Sequence, residues 1–151
     1  MRLVATTAML LAVLSPAQGA QLIFAFGVNG TCDELTVDAT DITNACEDSI
    51  LQVGFDDERF GISAYAGDKI ITFSGTADEF FGDDLRQVVD AVILRTRGQD
   101  PMTVTARGTC EHGDIFAGSV TFDCRAKVKG YAPFHLVFTT DGEQPTDEMA
   151  Q

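Results

Sequence analysis

The four cysteines are the residues of this chain whose type and spacing carry the clearest chemistry: Cys32, Cys46, Cys110 and Cys124. Thiols can hold a metal, exchange disulfides or cross-link. Zinc sites and redox centres draw on short C-x-x-C pairs, and the chain has none. Cross-linking is left, and an even number of cysteines in an exported chain reads as a disulfide framework. The preferred pairing is local, Cys32 with Cys46 and Cys110 with Cys124, each pair 14 positions apart. In the chain-entropy account, each such loop stabilises the fold by about 3 kcal/mol.

The remaining candidates for chemistry are weaker. His112 and His135 are the only histidines and do not form a closely spaced pair, as a histidine metal site would need. His135 alternates with Phe134 and Leu136, which places it on the outer face of a strand. No G-x-S-x-G elbow positions a serine nucleophile. The acidic groups Asp56-Asp57-Glu58, Asp78-Glu79 and Asp83-Asp84 lack the D-x-D-x-D-G order of a calcium loop, and read as solvated turns. Asn29-Gly30-Thr31 matches the N-glycosylation pattern and also reads as a tight turn. No metal or cofactor is expected.

Two sets of residues suit binding rather than catalysis. Arg125, Lys127 and Lys129 fall at every second position and share one face of a strand. Such a basic stripe suits an anionic ligand or an acidic neighbour, or guards an edge strand against aggregation. Phe80-Phe81 sits among acids, as a contact site or with one ring in the core.

The elements that must position these residues read as strands. Ile50–Phe55, Phe60–Ala66 and Lys69–Ser74 alternate in character, with Leu51, Val53 and Phe55 on one face of the first. Gly67-Asp68 suits a type II′ turn. A three-strand antiparallel meander follows. Residues 84–95 carry both helical spacing and β-branched side chains; a hairpin over Val89–Thr109, after at most one helical turn, is preferred. Val120, Phe122 and Cys124 share a face, as do Phe134, Leu136 and Phe138. The repeated triplet Gly30-Thr31-Cys32 and Gly108-Thr109-Cys110 reads as two disulfide hairpins in one domain.

The predicted organisation is a secretory signal peptide over residues 1–20, a single disulfide-stapled β domain over 21–140, and a disordered acidic tail over 141–151. The leader rests on Arg2, an uncharged apolar run from Leu3 to Leu14, and small residues at Ala17, Gly19 and Ala20. That run is too short to cross a bilayer. The fold class is all-β, a small antiparallel sandwich or barrel-like meander with two local disulfides, secreted or periplasmic.

The chain holds 23 acids against 10 Lys and Arg, a net charge of −13. That repels phosphate backbones and argues against nucleic acid. The charge is uneven, with net acid over residues 21–84 and a slight net base over 85–130. These features favour a non-catalytic binding or interaction module for a basic secreted protein, an anionic ligand or a small molecule. A hydrolase with a carboxylate or histidine site and a structural envelope protein are the alternatives.

Overall fold

Backbone pairing closes the chain on itself. The computed structural model describes residues 19–81 and 84–150, the side chains of residues 77–81 excepted. The leader therefore lies outside the described residues, apart from Gly19 and Ala20. The strands are β1 (Leu22–Val37), β2 (Thr40–Asp41), β3 (Cys46–Phe55), β4 (Arg59–Ala66), β5 (Lys69–Phe81), β6 (Asp84–Thr96), β7 (Met102–His112), β8 (Thr121–Val128), β9 (Phe134–Thr140) and β10 (Thr146–Asp147). The eight long strands pair antiparallel in the order β1-β3-β4-β5-β6-β7-β8-β9, and β9 returns to β1. The result is a closed eight-stranded barrel, the all-β class that the alternation predicts.

Closure depends on β1, which is long enough to serve two partners. Its first half pairs with β3 as far as Asn29, and from Gly30 onward it pairs with β9. The Asn29-Gly30 step, read from sequence as a turn, is continuous strand. Glycine is required there because a Cβ at Gly30 would strike the Thr139 carbonyl oxygen. Gly108 meets the same condition against the Arg125 carbonyl oxygen. The repeated triplet thus has a steric sense: each glycine admits a neighbouring backbone two residues before a bridging cysteine. Register shifts between Cys32 and Glu34, and between Val89 and Ala91, add curvature.

The barrel is filled by side chains, as expected for a barrel of this strand number. Phe73, Phe122, Phe134 and Phe138 are fully enclosed with Leu35, Ile50, Ile62, Ile71, Leu136, Val89 and Val92. Gly67 takes φ +61 in the two-residue link between β4 and β5, as a type II′ turn requires. The meander, the hairpin of β6 and β7 and both disulfides stand where the sequence places them.

Three expectations change. Asp84 to Thr96 is strand throughout, with no helical turn, because every residue except Asp90, at the register shift, finds a ladder partner on β5 or β7. On β3 the apolar set Leu51, Val53 and Phe55 faces outward, while Ile50, Gln52 and Gly54 face the interior. The acidic tail is not unstructured along its length: Thr146 and Asp147 pair with Gly27 and Phe26, and the Glu148 amide donates to the Ala25 carbonyl. Main-chain pairing along β1 needs no apolar run, so hydropathy could not foretell it.

Candidate functional site

Two places on the barrel gather groups that can recognise something. The first is the outer face of β7 and β8. Alternation sends Ala106 and Cys110 inward with Cys124, Ala126 and Val128, and so sends Arg107, Arg125 and Lys127 outward. The ladder sets Arg107 directly opposite Lys127, and Thr109 opposite Arg125. Lys129 follows at the end of β8, with its amide donating to the Thr105 carbonyl. A shallow hollow of about 470 Å³ lies here, bordered by Arg107, Arg125, Lys127, Pro133, Phe134 and His135. Arg125 and Lys127 of the stripe read from sequence therefore share one surface, and Arg107 joins them from the neighbouring strand.

Its members differ in their partners. Arg125 donates from Nε and Nη2 to the two oxygens of Asp123, at 3.0 and 3.1 Å. His135 stands between carboxylates, with Nδ1 3.1 Å from Glu34 and Nε2 2.9 Å from Asp123. Arg107 and Lys127 form no ion pair among the described residues.

Partial burial pushes the Asp123 carboxyl up, but the bonds from Arg125 and His135 prevail and hold it below the ordinary carboxylate range. Asp90 is lowered chiefly by its hydrogen bonds from Arg59, at 2.7 and 3.1 Å. A carboxyl with a lower pKa folded than unfolded stabilises the fold above its unfolded pKa. That contribution disappears as pH falls through the folded value. The urea midpoint is therefore expected to fall as pH drops below about 4, and Asp123→Asn should flatten part of that slope. A slope identical in wild type and variant would remove Asp123 from the account.

The second place is the barrel end where β3, β5 and β7 finish. Here the interior turns polar. Gln52, Gln87 and His112 are all buried. His112 Nδ1 lies 2.7 Å from the Gly113 carbonyl oxygen, which fixes the proton there, so Nε2 can accept from Gln52 Nε2 at 3.4 Å. The His112 ring stacks on Phe122, with centroids 4.3 Å apart. Among the described residues the side-chain oxygens of Gln52 and Gln87 have no hydrogen-bond partner. Beside them Phe24 stacks on Phe26, and Phe26 meets the edge of Phe116 from the β7–β8 loop. A hollow of about 500 Å³ opens at this end, lined by Phe24, Phe55, Phe60, Gln87, Asp56 and Glu58 among others.

Sequence reasoning passed over this second place. Glutamine carries no motif, and its burial follows from ladder register alone. The Phe80-Phe81 pair has its backbone opposite Leu85 and Asp84 at the same end of β5; its side chains lie outside the described residues. Among the described residues no three His, Cys, Asp or Glu side chains gather to hold a metal ion. Among the described residues no helix is long and apolar enough to cross a membrane. Two disulfides mark an oxidising compartment, extracellular or periplasmic. Comparison with protein-family models, curated proteins and solved structures finds no match for the chain.

Proposed function

We propose that this protein is an exported, non-catalytic binding module that docks an anionic partner on the outer face of β7 and β8. One observation carries the reading: Arg107 and Lys127 stand directly opposite each other without an acid between them. Like charges opposed across an antiparallel ladder destabilise the pair. In a chain with 23 acids and 10 Lys and Arg, leaving two bases face to face is a cost that an anion between them would offset. Arg125 extends the positive surface along β8. The acids elsewhere repel an anion approaching from other directions and so orient it towards this face. Export rests on the leader read over residues 1–20 and agrees with the disulfides.

The test is binding of poly-L-glutamate and of a sulfated polysaccharide at low and moderate salt, for wild type and for the double variant Arg107→Ser with Lys127→Ser. Wild type is expected to bind at least one of the two polyanions, more weakly as salt rises. The variant should lose about tenfold or more in affinity and should not be less stable, since a repulsion has been removed. Absence of binding at low salt, or equal binding by the variant, would overturn the reading. Preference for one polyanion tells a protein partner from a glycan.

A further inference from the structure

We infer that the hollow at the other site, the barrel end beside Gln87, binds a small primary amine with an apolar or aromatic body. The observation is the buried, unpartnered oxygen of Gln87. Gln87 is 3 % exposed, lines the hollow, and offers an acceptor that has no hydrogen-bond partner among the described residues. Leaving such a group unmade costs stability, so a fold that keeps it favours a donor arriving from outside. Gln52 carries a second unpartnered oxygen on β3, two residues before Gly54 of the same hollow.

The rest of the lining narrows what the donor belongs to. Phe24, Phe55, Phe60 and Ile23 supply apolar surface. Aromatic faces attract cations as well as apolar groups. Asp56 and Glu58 supply negative charge at the rim. Arg59, the one base among the described residues that line it, is already held by both oxygens of Asp90 and by the Ser74 hydroxyl. An incoming cation therefore meets an uncompensated acidic rim, and an anion is repelled. A primary ammonium carries three N–H donors and positive charge. A quaternary ammonium carries the charge without donors, and an alcohol a donor without charge. The volume of about 500 Å³ is within the range of small-molecule sites.

The ranking of ligands follows from this division. In a titration of the full-length mature protein, 2-phenylethylamine should bind more tightly than its N,N,N-trimethyl analogue, and that more tightly than 2-phenylethanol. 3-Phenylpropanoate should not bind. Amide shifts in the NMR spectrum should centre on Phe24, Phe60 and Gln87. Gln87→Leu keeps the apolar bulk and removes the acceptor; it should weaken the amine about tenfold or more and leave the alcohol within about twofold. The variant's otherwise unchanged spectrum reports that it folds. Asp56→Asn should weaken both amines alike, because it removes charge and no donor partner.

Equal binding of amine and alcohol, or an amine affinity unmoved by Gln87→Leu, would overturn the assignment. So would failure of the amine to bind at millimolar concentration, which would leave ordered water as the occupant. Failure here does not touch the polyanion reading, which concerns the opposite charge on a different face. A protein that binds polyglutamate and not the amine, or the reverse, separates the two.

Discussion

Replacing Cys110 and Cys124 together by alanine is expected to lower the unfolding free energy by about 3–5 kcal/mol. Both half-cystines are 0 % exposed and face each other directly across the β7–β8 ladder. The bridge therefore acts twice. It restricts the unfolded chain by closing a loop, and its sulfur atoms fill part of the barrel interior. The Cys32–Cys46 bridge closes a loop of the same sequence separation, 14 residues. It ties β1 to the start of β3, where Cys46 is only half-buried. Its removal should cost less, about 2–3 kcal/mol, since less core is lost. Urea denaturation of the two double variants measures both values. Mild reductant should open Cys32–Cys46 first, because access governs thiol exchange. Equal losses, or the reverse order of reduction, would show that loop length alone sets the effect.

Phe138→Ala is expected to cost about 3–5 kcal/mol, and the damage should concentrate where the barrel closes. Phe138 is 0 % exposed and stands between Cys32 on β1 and Phe122 on β8 in the ladders that complete the ring. Truncating it leaves a void beside the seam between β1 and β9. Its neighbours are constrained by strands on both sides and can collapse only partly. Besides the lower urea midpoint, amides of β1 from Gly30 to Thr36 should exchange hydrogen faster than those of β4 and β5. Phe116→Ala serves as the comparison. Phe116 is 48 % exposed and touches the edge of Phe26, so its loss should cost under about 1 kcal/mol. A seam that exchanges no faster than the meander would mean that closure does not rest on Phe138.

Much of the strand plan was legible because it is local. Phe60, Ile62 and Ala64 on β4, and Phe134, Leu136 and Phe138 on β9, alternate cleanly and are buried as that alternation requires. On β3 the spacing put Leu51, Val53 and Phe55 on one face, and they share one, but it is the outer one, where Gly61 on β4 lets the Val53 side chain settle against it. Spacing did not say which face was inside, and so Gln52 stayed hidden. The basic stripe on β8 was legible from spacing. The presence of Arg107 opposite Lys127 was not, since those residues meet only through the register of β7 on β8.

The sequence by itself determined the alternation of the strands, the preference for local cysteine pairs and the excess of acid, because each depends on neighbours along the chain or on composition. The tertiary structure decided the closure of β1 on β9, the order along the tail, and the inward turn of Gln52, Gln87 and His112. Those depend on register between segments far apart in the chain. A shift of one residue sends every side chain of a strand to the opposite face. Short-range pattern sets which residues can share a face, and only long-range pairing chooses which of the two faces is inside.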